Sequence, residues 1–443
     1  MTDTTKIKIG MVSLGCSKNR VDSELMLGRL KGAAVFTDDP AQADVIIVNT
    51  CGFIDSAKQE SIDTILEMAE YKKTGLKGLI VTGCLSQRYK EELISEIPEV
   101  DAWLGVTAYE EIANAVKSVM GKKRFICFEE AVNEPDYKQR MLTTEPWTAY
   151  VKISEGCDNR CTYCAIPYIR GPLKSRTLED IKAEVEYLVG TLGVSEIILV
   201  AQDTTKYGMD IYNKPMLCEL IELLAPIPSL KWLRLLYAYP ENVDEKLIDT
   251  MLKYDNVVNY LDIPVQHFDD GVLKRMNRKN TYESTKKVVE MIRKKSEDFI
   301  LRTTLIAGFP GETEEEFNNL LKGIGELKFD RLGVFAYSRE DGTPAAKMKG
   351  QLEEEIKEAR AEKAMEVQKK ITEELSKKRI AKTYEALIEY PVEPGVYFAR
   401  TYAEAPEIDG AFFIHSEKQL IMGEYVNAEV TGVNEYDLIG EVK

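Results

Sequence analysis

Three cysteines, Cys157, Cys161 and Cys164, stand at a C-x3-C-x2-C spacing directly after the apolar run Ala149-Tyr150-Val151-Lys152-Ile153. Three thiolates on one short loop can hold three corners of an iron–sulfur cluster, whereas a tetrahedral zinc site closes only with a fourth ligand. No fourth Cys or His follows nearby, and the two histidines of the chain, His267 and His415, are distant in sequence. A cluster held by three cysteines leaves one iron with an open position, where a substrate can bind and react. The competing readings are a structural zinc knuckle and three cysteines that merely fill core positions.

A second triplet is spread out. Cys16, Cys51 and Cys84 each follow the end of a β-branched, strand-like run: residues 8–14, 43–50 and 78–83. Helical stretches from about 21 to 30 and from about 56 to 71 separate these runs, and residues 102–106 read as a short fourth strand. Such β-α alternation predicts a doubly wound parallel sheet, and open sheets of this kind build their sites at the carboxyl ends of strands. Three cysteines at equivalent strand ends can therefore converge on a second cluster, also with an open iron. The alternative is cysteine as a small buried hydrophobe. Cys127 and Cys218 receive only that alternative, Cys218 as a core residue of an apolar helix.

Elements for a larger α/β domain follow. Residues 121–145 are charged and irregular, with Pro135 and Pro146, and read as a linker. From Thr148 the alternation restarts, with strands expected at 149–154, 196–201, 232–238, 260–265, 300–307 and 332–336, and helices between them. Six β-α units that begin with a metal loop predict a partial TIM-like (β/α)6 barrel, open on one side. A charged helix over about 352–378 closes it. Beyond Arg379 the runs 383–390, 396–402, 412–414 and 425–433 are β-rich and separated by Pro and Gly turns, as in a small antiparallel β-barrel.

At 443 residues the chain can form two or three domains with full cores. It contains no apolar run near membrane-spanning length, and its first residues form no secretory leader, so a cytoplasmic protein with reduced thiols is expected. The net charge of −16 argues against a surface that binds nucleic acid non-specifically and suits a basic partner.

These motifs and their order resemble the radical S-adenosylmethionine (SAM) methylthiotransferases over essentially the whole chain. The resemblance implies four segments: an N-terminal domain with an auxiliary cluster (1–125), a linker (126–145), a radical SAM domain (146–378) and a C-terminal TRAM barrel (379–443). One branch of the family modifies adenosine in transfer RNA, the other an aspartate of the small-subunit ribosomal protein S-twelve. Leu14-Gly15-Cys16-Ser17-Lys18-Asn19, Asn49-Thr50-Cys51-Gly52 and the segments Ile263–Asp270 and Arg302–Glu312 are similar to the ribosomal-protein branch. Ser17 departs from the Pro more usual there, beside a ligand rather than at one.

The resemblance implies two 4Fe-4S clusters, one on Cys157, Cys161 and Cys164 and one on Cys16, Cys51 and Cys84. It implies two uses of SAM. One molecule methylates a sulfur held at the N-terminal cluster. Another is cleaved to a 5′-deoxyadenosyl radical that takes a hydrogen from the β-carbon of the aspartate, which then accepts the methylthio group. An unactivated C–H bond offers ordinary acid–base residues no acidic proton, so a cofactor must carry this step. Tyr163, before the last cysteine, fits the family pattern for the SAM site. Gln202, Asp203, Gly308 and Gly311, at strand C-termini, are further SAM contacts to expect, against a reading of each as an ordinary strand-to-helix turn. His267 reads equally as a satisfied helix-start residue and as a substrate contact. The implied partners are ribosomal protein S-twelve and an electron donor such as flavodoxin or ferredoxin, with no membrane and no nucleic-acid substrate. A transfer-RNA methylthiotransferase and a two-cluster electron carrier are the rival functions.

Overall fold

The structure, a computed structural model, describes residues 6–129 and 135–443; residues 130–134, inside the expected linker, lie outside it. The chain divides into two compact units. The first comprises Met1–Thr144, Tyr150–Lys174 and Ser338–Ala346; the second comprises Glu145–Ala149, Ser175–Tyr337 and Lys347–Lys443.

The first unit is built on six parallel strands: β1 (Ile7–Ser13), β2 (Ala34–Phe36), β3 (Val45–Thr50), β4 (Gly78–Gly83), β5 (Ala102–Leu104) and β6 (Phe125–Cys127). Their order is β2-β1-β3-β4-β5-β6, which reverses direction between β1 and β3. Every residue of β3 and β4 is buried, as expected of central strands covered on both faces. On one face Ile47, Ile80 and Leu104 pack with Met26 of α1 (Ser17–Leu30) and with Ile112 and Val116 of α4 (Ile112–Met120). On the other, Ile46, Val48, Val81 and Trp103 pack with Ile65 of α2 (Asp55–Glu70) and Leu85 of α3 (Cys84–Glu96).

Two short strands depart from the sequence reading. β2 is a three-residue edge whose middle residue, Val35, is exposed. β6 falls where the charged 121–145 stretch predicts irregular chain, yet Phe125–Cys127 pairs with β5. Neither is long enough to show a period, and the sheet rather than propensity decides both. Helix α1 also starts earlier than its apolar residues suggest, because Lys18, Asn19, Asp22 and Glu24 are buried despite their polarity.

A second six-stranded sheet has its strands in chain order: Thr148–Lys152 at one edge, then Glu196–Val200, Trp232–Leu235, Val257–Asp262, Ile300–Ala307 and Arg331–Ala336. The last five pair in parallel. A parallel sheet in chain order with helices between its strands is the expected open (β/α)6 arrangement. The long helix Glu354–Lys377 follows it, and Gln368 on that helix donates to the carbonyl of Phe329 at 2.8 Å. Cys218 is half-buried, not core. The buried stripe of its helix, Leu217–Leu224, is Leu217, Leu220, Ile221 and Leu224, and Cys218 falls beside it.

The C-terminal segment closes into a five-stranded barrel in the order Thr383–Glu393, Val396–Arg400, Phe412–His415, Asp437–Val442 and Tyr425–Asn434, around Ile388, Ala399, Phe412, Val430 and Leu438. The sequence reading finds four of these strands. It misses Asp437–Val442, which returns after a tight turn at Glu435-Tyr436. Buried ion pairs lock the barrel to the sheet, Arg400 to Glu196 at 2.7 Å and Glu404 to Arg331 at 3.1 Å, and Glu404 also pairs with Arg379 at 2.8 Å.

Candidate metal centres

Cys16, Cys51 and Cys84 follow the carboxyl ends of β1, β3 and β4, three adjacent strands, and Cys16 and Cys51 flank the point where strand order reverses. The three thiols come together there. Gly15, at φ +86°, passes so close to Cys51 that an added Cβ would lie 2.8 Å from its Cβ and 3.0 Å from its Sγ. Gly83, at φ +99°, turns β4 directly into α3, so Cys84 is the first residue of that helix. Asn19 ties the loops by donating to the carbonyls of Leu14 at 3.0 Å and Thr50 at 2.8 Å. Ser61 accepts from the Cys51 amide and donates to the Cys51 carbonyl. Cys16 is exposed, Cys51 half-buried and Cys84 buried.

Their electrostatics differ accordingly. Burial pushes the Cys84 thiol up to about 12, against the pull of the Arg170 charge. Desolvation also raises Cys51. At Cys16 desolvation acts in the same sense, but the charges of Lys18 and Arg170 overcome it and lower the thiol. A bound metal deprotonates such thiols outright, so burial is no bar to ligation.

The second triplet lies on the loop after Thr148–Lys152. Gly156, at φ +68°, makes its first turn; a Cβ there would lie 2.0 Å from the Pro172 carbonyl oxygen. The Cys157 amide donates to the Gly171 carbonyl at 3.1 Å, and the Asn159 amide donates to Cys157 Sγ at 3.5 Å. Cys157 and Cys161 are buried, whereas Cys164 and Tyr163 are half-buried. The Ala345 amide donates to the Thr162 carbonyl at 2.9 Å and holds the far side of the loop. Among the described residues no three His, Cys, Asp or Glu side chains close on a single ion.

A buried charged network joins the two triplets, and the sequence reading missed it. Ala165 and Ile169, on the turn after Cys164, pack with Cys84. Arg170 ends that turn. Its guanidinium donates to both oxygens of Glu155 at 3.0 and 2.9 Å, to Asn19 Oδ1 at 2.6 Å, to Asp22 at 3.0 Å and to Cys84 Sγ at 3.5 Å. Lys152 pairs with Asp22 at 2.5 Å and Glu155 at 2.7 Å. Burial opposes ionisation of Glu155, but Arg170 and Lys152 hold it well below the usual carboxylate range. A lysine inside the apolar run 149–153, and Asn19 and Asp22 one helical turn apart beside Cys16, were the available signals.

The other expected SAM residues belong to the second unit. Gln202 is half-buried. Asp203 is buried and caps the turn Thr204–Lys206, accepting from the Thr205 amide at 3.1 Å and hydroxyl at 2.5 Å. Gly308 and Gly311 have φ +76° and +74°; the Gly308 amide donates to Glu312 at 3.0 Å and the Gly311 amide to the Gly350 carbonyl at 2.7 Å. His267 is fully buried, accepts from the Asp269 amide through Nδ1 at 2.9 Å, and faces Glu312 at 3.3 Å through Nε2. The helix-start contact accounts for Nδ1 alone, since Nε2 is buried with no hydrogen-bond partner among the described residues.

Comparison with known proteins matches residues 151–324 to the radical SAM superfamily, 8–105 to an uncharacterized protein family, UPF0004, and 380–442 to the TRAM domain. Among solved structures, the radical SAM methyltransferase TsrM from Kitasatospora setae, with cobalamin and a 4Fe-4S cluster bound, superposes with a TM-score of 0.57 at 13% identity, covering 77% of this chain and 74% of that one. The cobalamin-dependent SAM radical enzyme OxsB gives 0.51 at 12% identity, covering 82% of this chain and 56% of that one. Such likenesses concern the fold. The ribosomal protein uS12 methylthiotransferase RimO of Acetivibrio thermocellus is 50% identical over 447 residues, 99% of this chain and 98% of that one. The protein of the same name from Clostridioides difficile is 50% identical over 440 residues, 98% of this chain and 99% of that one. With half its residues shared along nearly its whole length, the chain belongs to the RimO family of radical SAM methylthiotransferases.

Proposed function

We propose that this protein methylthiolates the β-carbon of an aspartate in ribosomal protein uS12, with SAM as both methyl donor and radical source. The observation that carries the reading is the presence of two cysteine triplets within one compact unit, each placed by its own backbone turn. Cys157, Cys161 and Cys164 hold the cluster that radical SAM proteins share. Cys16, Cys51 and Cys84 hold a second 4Fe-4S cluster, supported by the approach of Gly15 to Cys51 and by the Arg170 contact to Cys84. When bound, these groups supply the electron and the sulfur chemistry that an unactivated C–H bond demands.

The chain's own residues hold and tune the site. Gly156 sets the turn of the radical-cluster loop, the Asn159 amide supports a thiolate at Cys157, and Lys152 and Arg170 balance charge beneath both loops. On this reading residues 1–125 carry the auxiliary cluster, 126–145 connect, 146–378 carry the radical chemistry and 379–443 form the docking barrel. Tyr163 on the radical-cluster loop is one proposed SAM contact, and Gln202, Asp203, Gly308 and Gly311 are those proposed on the second unit. The electron donor is a flavodoxin or ferredoxin, and the enzyme works in the cytoplasm. No helix among the described residues is long and apolar enough to cross a membrane.

Mass analysis of uS12 and of bulk tRNA from cells lacking this protein, with and without its gene restored, tests the proposal. The expected result is loss and recovery of one methylthio group on an aspartate of uS12, with tRNA unchanged. Loss of a methylthio-adenosine with uS12 unaltered would overturn it.

A further inference from the structure

We infer that Arg170 is a positioning residue that sets the electrostatic potential of the auxiliary cluster and ties that setting to the radical-cluster loop. The inference rests on the reading above, in which Cys16, Cys51 and Cys84 hold a cluster. Arg170 stands six residues after Cys164, yet its side chain is 1% exposed and reaches across to Cys84 Sγ at 3.5 Å. The opposite end of the guanidinium is clamped by both oxygens of Glu155, two residues before Cys157. One planar group therefore touches a ligand of one triplet and the root of the loop that carries the other.

Net charge and hydrogen bonds to sulfur are among the determinants of a cluster's reduction potential. The ion-paired network holds Arg170 and Lys152 with Asp22 and Glu155, and Lys18 is a further buried cation whose charge acts on Cys16. Arg170 donates a hydrogen bond to the sulfur of Cys84. Removing its charge leaves Asp22 less compensated beside the cluster, so an added electron is disfavoured and the potential moves negative. Neutralising Asp22 leaves Arg170 less compensated, and the potential moves positive. A residue that only fills space predicts no such opposition of sign. Lysine keeps the charge but not the fork that reaches Glu155, Asn19, Asp22 and Cys84 together.

The test uses the full chain in a background of Cys157→Ala, Cys161→Ala and Cys164→Ala, reconstituted anaerobically, so that iron and paramagnetic signal report the auxiliary cluster alone. Redox titration followed by electron paramagnetic resonance is applied to Arg170→Gln, Arg170→Lys and Asp22→Asn. The expected result is a negative shift in Arg170→Gln, a smaller one in Arg170→Lys and a positive shift in Asp22→Asn. Full iron loading with an unmoved potential in Arg170→Gln overturns the role of Arg170 and leaves the two-cluster reading standing. If Arg170→Gln holds no iron, Asp22→Asn decides: a positive shift supports the inference, and an unmoved or negative one overturns it. Absence of iron from the background itself overturns the two-cluster reading and this inference together.

Discussion

Cys84 shows how little of a proposed ligand's setting lies in the residue itself. Its thiol is pushed up to about 12 by burial, while Gly83 aims it, Asn19 orders the loops beside it and Arg170 touches its sulfur. What was legible of the cysteines is their placement: one triplet on a compact loop, the other at the ends of three adjacent strands. Arg170 was not legible. An arginine in sequence carries no mark of burial, and its partners Asn19, Asp22 and Cys84 lie far away in the chain. The two triplets make separable predictions. Alanine at Cys157, Cys161 and Cys164 should halve the iron and abolish reductive cleavage of SAM. Alanine at Cys16, Cys51 and Cys84 should also halve the iron, yet leave 5′-deoxyadenosine formation without methylthiolation. Iron analysis and chromatography of the nucleoside check both, and a full iron load in the second variant would sink the auxiliary site.

Strands and helices with a full period were readable: β4, Ile300–Ala307 and the helix Glu314–Leu327 lie where apolar pattern and caps put them. The helix Glu314–Leu327 opens on a capping box from Thr313 and Glu316, a signal written in adjacent residues. β2, β6 and the last barrel strand were not readable, since pairing with a neighbour, not local sequence, makes them strands. Turns make an element-level prediction. Gly156→Ala puts a Cβ 2.0 Å from the Pro172 carbonyl oxygen at φ +68°, so the loop must move. The variant should lose roughly half its iron, from the radical cluster, and keep the auxiliary signal. Full loading with intact SAM cleavage would show that the turn tolerates the change. A second element-level prediction concerns Glu404, after the strand Val396–Arg400. Burial opposes its ionisation, but Arg379 and Arg331 outweigh that and hold it at about 2, below its ordinary value near 4.5. A depressed carboxylate gives stability that is present above its unfolded pKa and lost as pH falls from there towards the folded value. Glu404→Gln should therefore cost about 3 kcal/mol at neutral pH, the scale for breaking a buried pair, and less as pH falls from about 4.5 towards 2. Denaturant titrations of wild type and variant across that window check the sign; an equal cost at every pH would reject it.

The whole chain is acidic, and its C-terminal barrel is more so: from Arg379 onward there are five Lys and Arg against twelve Asp and Glu. The structure sorts these charges in a way composition does not. Arg379 and Arg400 are spent on buried pairs with Glu404, Glu389 and Glu196, and Lys443 pairs with Glu429. Lys382 and Lys418 remain exposed, as do Glu393, Glu417 and Glu441 among the acids. The outer surface thus keeps its negative sign after the internal pairs are removed from the count. A phosphate backbone would be repelled by such a surface, because phosphate neutralisation by Lys and Arg supplies most non-specific nucleic-acid affinity. A basic ribosomal protein would be steered towards it. Deleting the barrel is a poor test, since Arg331 would lose Glu404, Glu196 would lose one of its two arginine partners, and the sheet they belong to would be uncovered. Charge reversal at exposed positions avoids that fault. Glu393→Lys, Glu417→Lys and Glu441→Lys together should weaken uS12 binding roughly tenfold at low salt, about 1.4 kcal/mol, and less as added salt screens the surface. SAM cleavage without uS12 should be unchanged. Fluorescence anisotropy of labelled uS12 and of tRNA, each titrated with the full chain at several salt concentrations, measures this. Unaltered uS12 affinity, or tight salt-sensitive tRNA binding by the wild-type chain, would remove the barrel's charge from the account of substrate choice.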